Sequence, residues 1–292
     1  MSLPQFSYHR PASLAEASDL GRQLAPEAAF LAGGTELLTD FHRRREGARH
    51  LIALDAITEL RGLRLDGGEL VIGALTTVAE VARSPLVRER FPALADAARA
   101  LGSPQIRSLA TIGGNFCRAV PCADLPPVAV AGDARVRLAS RRGVRELAAE
   151  EFFVGPRTTA LAAGELLVEI VIPAQPAESG ASYQRFARRR GSALAVAAVA
   201  ARVVLGGGVI RDARLALGAV APTPALARRA AALVTGQAPS ADLFLLAGVA
   251  AAEEARPISD LRGGAEFRRE LVQVLARRAL EDAVARAEGR IR

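Results

Sequence analysis

The 292-residue chain is 50% hydrophobic but only 4% aromatic, without tryptophan, and has a formal charge of +7 and a pI near 10.8. All 38 basic side chains are arginine, so the pI reflects a compositional bias. The short arginine clusters lack the interleaved aromatics that stack on bases, which argues against a nucleic-acid partner. No apolar run reaches the roughly 18–20 residues of a membrane span, and Met1–Gln5 lacks a leader pattern, so the expectation is a cytoplasmic protein. At roughly 100–200 residues per domain, the length predicts two domains.

Phe6–Pro11 reads as an extended piece, and Ser13-Leu14-Ala15-Glu16 as a capping box that opens a helix to about Leu24, stopped by Pro26. Ala28–Ala32 is a short strand candidate running into Gly33-Gly34, after which Thr35 to Arg45 carries helical spacing. A glycine pair at a strand-to-helix turn presents free N–H groups and the positive helix end, worth about half a charge, to an anion such as phosphate. Next come a strand at Leu51–Leu54, a helical turn at Ile57–Leu60, and a hairpin pairing Leu63–Leu65 with Leu70–Ile72 around Asp66-Gly67-Gly68. Thr77–Ala82 and Phe91–Leu101 read as helices.

Gly102-Ser103-Pro104-Gln105 breaks that run and leads to a second glycine-pair loop, Thr111-Ile112-Gly113-Gly114-Asn115. Beyond it, Val128–Ala131 is a buried segment, while Arg135–Leu138 and Leu166–Ile172 are strands. Ala174–Gly180 is small, polar and Pro/Gly-bearing, and marks a boundary between domains at 1–176 and 177–292. In the second domain, Ala193–Leu205 and Val209–Val220 form a hairpin about Gly206-Gly207-Gly208. Helices follow at about Ala225–Val234, Ala241–Ala255 and Glu266–Arg286. The fold class is α+β, ending in a small antiparallel sheet covered by a helix bundle.

The sequence has no Walker loop, HExxH motif, GxGxxG motif or nucleophile elbow, and no residue is assigned a catalytic role. The histidines His9, His42 and His50 lack partners at ligand spacing. Cys117 and Cys122 fall short of the four ligands that structural zinc and iron–sulfur sites use, so no metal site is assigned and both are read as free thiols beside a ligand site. Two backbone nests, one per glycine pair, would suffice to hold two phosphates without a basic side chain.

The segments Leu31-Ala32-Gly33-Gly34-Thr35-Glu36-Leu37-Leu38, Gly102–Arg107, Thr111–Asn115 with Asp124, and Gly164–Leu167 before Ile172-Pro173 resemble the FAD-binding medium subunit of molybdenum hydroxylases. That group includes the flavoprotein subunits of xanthine and carbon monoxide dehydrogenases. Pro257–Gly263 before a long basic helix is similar to that family's C-terminal flavoprotein domain, so the likeness spans nearly the whole chain. It implies a PCMH-type FAD-binding fold in which Leu31 to Leu38 wrap the FAD pyrophosphate. Thr111, Ile112, Gly113, Gly114 and Asn115 would form the opposing wall, and Asp124 would bond polar flavin or ribityl groups. Leu101 and Leu167 would be apolar walls.

Where the family often carries lysine, this chain has Arg185, which keeps the charge but releases no proton at ordinary pH. The implied partners are a 2Fe-2S small subunit and a molybdenum-cofactor large subunit, assembled as a dimer of heterotrimers. Electrons would pass to NAD, a quinone or another acceptor. The alternative is a stand-alone FAD-dependent oxidoreductase of the same fold.

Overall fold

The computed structural model describes residues 4–45, 47–189 and 191–291. A small parallel sheet opens the chain: Ser7–His9 and Ala28–Leu31 both pair with the central strand His50–Ala53. The helix Leu14–Gln23 crosses between its edge strands. Ser13 Oγ accepts from the Glu16 N–H, but the Glu16 carboxylate accepts from Ala12 rather than from Ser13. The reciprocal capping box occurs instead at Thr77 and Glu80, where the helix Val78–Arg83 begins.

The second sheet is antiparallel. Its order is Leu63–Asp66, Glu69–Gly73, Leu166–Ile172, Arg135–Ser140 and Gly143–Ala148. The central strand, LLVEIVI, is apolar on nearly every residue because helices cover one face and the small sheet's core meets the other. Helices Pro92–Ala100, Ile112–Arg118 and Leu125–Ala131 pack around Leu70, Ile72, Val136 and Ile170, all fully buried. At about 25 cal/mol per Å² of apolar surface removed from water, this contiguous alanine- and leucine-rich core is the main stabilising element of the N-terminal half.

The third sheet, Ser179–Ala187, Ala195–Gly206, Val209–Gly218 and Ala225–Leu226, is also antiparallel. Its alternate residues serve two cores. Ala198, Ala200 and Ala216 face the N-terminal half, while Ala197, Val199, Leu215 and Leu217 face the helices Ala241–Glu254 and Ala265–Ala287. Burial on both faces explains why AVAAVAARVVLG is almost unbroken apolar sequence. Gly180 is required where the long C-terminal helix crosses the sheet, since a Cβ there would lie 2.0 Å from the Ala283 carbonyl oxygen.

Further sequence expectations change. The helix expected from about Ala225 begins only at Arg228, because Ala225–Leu226 pairs as a strand. The stretch read as a break at Gly102–Gln105 is the start of a helix, Pro104–Leu109, capped by Ser103 Oγ and opened by proline at its first position. The polar linker already becomes strand at Ser179. The helix expected over Thr35–Arg45 contracts to Leu37–His42. No helix among the described residues is long and apolar enough to cross a membrane.

Candidate flavin site

A cavity of about 490 Å³ opens where the end of the parallel sheet, the helix Ile112–Arg118 and a C-terminal loop meet. The first glycine pair forms one wall. The backbone N–H groups from Ala32 through Glu36 donate to no protein acceptor among the described residues; the next helical bond in the chain runs from Leu38 N–H to the Gly34 carbonyl. Gly34 sits at φ +69°, the left-handed region that glycine enters without steric cost. Gly33 has a different task. A Cβ there would stand 1.9 Å from the Leu109 carbonyl oxygen, so only glycine lets the loop close against the end of the helix Pro104–Leu109.

The second glycine pair is not a nest. Gly113 and Gly114 lie inside the helix Ile112–Arg118, and their donors are already used. Ile112 N–H donates to Thr76 O at 3.0 Å, Gly113 N–H to Ala74 O at 2.9 Å, Gly114 N–H to Thr111 Oγ1 at 3.1 Å and Asn115 N–H to Thr111 O at 3.0 Å. Gly113 exists for packing, because its Cβ would fall 2.6 Å from Ala74 Cβ. Gly114 faces the cavity; its Cβ would meet only Thr111 Oγ1, at 2.9 Å, and Ala32 Cβ, at 4.0 Å. The two glycine stretches are therefore neighbours, but only the first offers free backbone donors.

Side chains complete the walls. Asn115 lines the cavity, and its buried Oδ1 meets no hydrogen-bond partner among the described residues. Asp124, also on the cavity and buried, receives Tyr183 Oη at 2.7 Å and Arg185 Nη1 at 2.8 Å, both on Oδ1, which leaves Oδ2 without a partner among the described residues. Burial raises the Asp124 pKa, while Arg185 and the Tyr183 hydroxyl pull the other way. The same burial, reinforced by the neighbouring carboxylate, pushes the Tyr183 phenol far above its usual range, so it remains a donor.

Arg118, at the end of its helix, donates to Glu36 Oε2 at 3.0 Å and pairs with the buried Asp40, which also holds Arg157 at 3.1 Å. It is the cation on the cavity nearest the free N–H row, tied to that loop through Glu36. The thiols of Cys117 and Cys122 both lie on the cavity. Burial pushes Cys117 up to about 12 and raises Cys122, whose Sγ has Arg262 Nη1 at 4.0 Å. Burial thus favours the protonated thiol at both positions, against the pull of Arg262 at Cys122.

Of the residues singled out in the sequence, Ala32 to Leu37, Leu101, Thr111, Gly114, Asn115 and Asp124 line the cavity. Leu31, Leu38, Ile112 and Gly113 stand behind it as neighbours in the chain. Leu167 is buried within the central strand and does not reach the cavity, and Arg185 acts from behind, through Asp124. Sequence reasoning missed Arg118, Ile106 and the segment Ser192–Leu194, which the C-terminal half contributes to the cavity lip. Nothing in the sequence marks that segment: Leu194 belongs to no apolar period and is over half exposed, as are Leu109, Leu246 and Leu261 elsewhere.

This donor set fits a dinucleotide cofactor. A row of free N–H groups suits a pyrophosphate, the unmet Asn115 and Asp124 oxygens suit hydroxyl donors, and Leu101, Ile106 and Leu194 supply apolar contact.

The comparisons agree with the geometry. Residues 4–175 match the family described as FAD binding domain in molybdopterin dehydrogenase, and residues 181–283 match the CO dehydrogenase flavoprotein C-terminal domain. The chain is 36% identical to the carbon monoxide dehydrogenase medium chain of Hydrogenophaga pseudoflava, covering 97% of this chain and 98% of that one. It is 35% identical to a putative xanthine dehydrogenase FAD-binding subunit of Escherichia coli, covering 98% of both. Among solved structures, the Hydrogenophaga carbon monoxide dehydrogenase superposes with a TM-score of 0.95 at 37% identity, over 98% of this chain and 99% of the other. Quinoline 2-oxidoreductase from Pseudomonas putida does so with 0.92 at 31%, over 98% and 99%. The chain thus belongs to the family of FAD-binding flavoprotein subunits of molybdenum hydroxylases, and is an oxidoreductase subunit.

Proposed function

We propose that this chain is the FAD-carrying electron-transfer subunit of a cytoplasmic molybdenum hydroxylase, with an FAD-binding domain at 1–176 and a flavoprotein C-terminal domain at 177–292. Electrons would arrive from a 2Fe-2S small subunit served by a molybdenum-cofactor large subunit, in a dimer of heterotrimers, and would leave to NAD, a quinone or another acceptor. FAD, when bound, supplies a ring that accepts electrons singly or in pairs. The protein's own part is binding and orientation. The N–H groups of Ala32 to Glu36 hold the pyrophosphate, Arg118 adds charge beside them, and Asn115 Oδ1 and Asp124 Oδ2 accept from hydroxyls. No side chain need move a proton.

The observation that carries this reading is the row of unbonded N–H groups from Ala32 to Glu36 on the cavity wall, at a glycine held in the left-handed region. Purified full-length chain is expected to carry visible flavin absorbance at one FAD per chain, and that absorbance is expected to bleach on anaerobic mixing with a reduced 2Fe-2S partner. A colourless chain that takes up no added FAD overturns the reading. Substrate turnover by the isolated chain replaces it with the stand-alone enzyme.

A further inference from the structure

A second cavity, of about 750 Å³, lies between the two halves of the molecule and shares no lining residue with the first. It is bounded by the helices Pro85–Arg90 and Pro92–Ala100 on one side, and by the strands Ser179–Ala187 and Ala195–Gly206 with the end of the helix Ala265–Ala287 on the other. Its walls carry Arg88, Arg90, Arg99, Arg202 and Arg286 against a single acid, Glu89. Arg88 and Arg90 make no ion pair among the described residues.

The charges behind the walls do not balance either. Arg99 and Arg286 share one carboxylate, Asp96. Arg202 stands directly opposite Arg214 across the antiparallel pair, on the sheet face that looks toward the N-terminal half, and like charges in that register repel. Their carboxylate partners, Asp212 and Asp133, are each more than half exposed. The Nε atoms of Arg202, Arg214 and Arg286 are all buried without a hydrogen-bond partner. Those Nε atoms are too deeply buried to meet a ligand; what calls for an anionic acceptor is the cavity wall itself, where five arginines face one glutamate and two of the five have no ion pair among the described residues. Phe91, Leu94, Val128 and Ile172 give the same cavity an apolar side, and its volume is that of a small-molecule site.

We propose that this interdomain cavity binds an organic anion of nucleotide size, whose phosphate or carboxylate groups pair with Arg202 and Arg286 while its apolar body lies against Phe91, Leu94 and Ile172. The site stands apart from the flavin cavity and does not rest on the flavin assignment. Because its walls come from both halves, an occupant would tie the two domains together.

The test is calorimetric titration of the FAD-saturated full chain with AMP, citrate and inorganic pyrophosphate, each separately. One-to-one saturable binding of AMP or citrate is expected; AMP is to bind tighter than pyrophosphate because its base uses the apolar wall, and AMP over citrate assigns phosphate while the reverse assigns carboxylate. Arg202→Gln is expected to weaken the binding at least tenfold, and Arg228→Gln, an exposed arginine on neither cavity, to leave it unchanged. Should Arg202→Gln fold poorly, the exposed double variant Arg88→Ala/Arg90→Ala is expected to cost at least threefold. The proposal is overturned if neither AMP nor citrate saturates the folded protein, if binding survives both the Arg202 and the Arg88/Arg90 variants, or if it is lost in Arg228→Gln. Saturable binding of a polyglutamate peptide alone also overturns it, in favour of a protein-docking surface.

Discussion

Gly33-Gly34 and Gly113-Gly114 are the same dipeptide put to different uses. The first pair lies in a loop on the cavity wall whose N–H groups are unengaged among the described residues, with Gly34 at a positive φ. The second lies in a helix whose first donors are consumed by Thr76, Ala74 and the Thr111 cap. What separates a binding loop from a packing device is therefore where the N–H groups go, and the glycines alone do not say. In the second stretch, glycine brings backbone close to Ala74 so that the helix can seat Asn115 and Arg118 at the cavity edge.

Substitutions should separate these roles. The largest effect is expected for Gly33→Val, because the obstacle at 1.9 Å is a backbone carbonyl that cannot swing aside; FAD retention in the purified chain should fall by at least a hundredfold. Gly113→Ala comes next and acts on stability. Overpacking against Ala74 should cost about 1–3 kcal/mol, read as a fall in Tm, with the FAD affinity of the folded fraction little changed.

Gly34→Ala should do the reverse. Holding a side chain at φ +69° costs about 1–2 kcal/mol, so FAD binding should weaken roughly tenfold as the donor row is displaced, with a smaller change in Tm. Gly114→Ala should be the mildest for folding, since alanine gains about 1 kcal/mol of helix propensity against crowding at Thr111 Oγ1, while its methyl enters the cavity and lowers FAD affinity.

A pH series sharpens the contrast from the side of charge. Arg262 and Arg268 hold the Asp260 carboxyl well below its usual range. The folded state thus binds that proton less readily than the unfolded chain, and the stabilisation is present above about pH 4 and lost as pH falls further. Asp124 has the opposite sign. Burial raises its pKa, so its contribution favours folding at low pH and is lost as pH rises through the interval between the ordinary and the raised value. Asp260→Asn should flatten the acid limb of the stability curve in a denaturant-melt series, and Asp124→Asn should leave that limb in place.

Elements with a strong period or caps were legible in the sequence. The strand Leu166–Ile172 and the helices Ala241–Glu254 and Ala265–Ala287 emerged within two residues of their expected ends, because burial on one or both faces imposes the pattern. The helix Pro104–Leu109 did not, since its six residues bury none of their side chains and so carry no apolar stripe. The glycine stretches could be located but not sorted. Gly114 N–H meets the local Thr111 cap, but the acceptors that take the Ile112 and Gly113 N–H groups, Thr76 and Ala74, lie almost forty residues upstream. Arg118 was invisible for a similar reason, as its partners Glu36 and Asp40 belong to a distant segment.

Hydrogen–deuterium exchange of the backbone amides, with and without FAD, tests the central distinction most directly. The account expects the amides of Ala32 to Glu36 to exchange fast in the FAD-free chain and to gain protection when FAD is added, while those of Ile112 to Asn115 are protected in both states. Protection gained at Ile112 to Asn115 alone, or amides at Ala32 to Glu36 that are already slow without FAD, would contradict it.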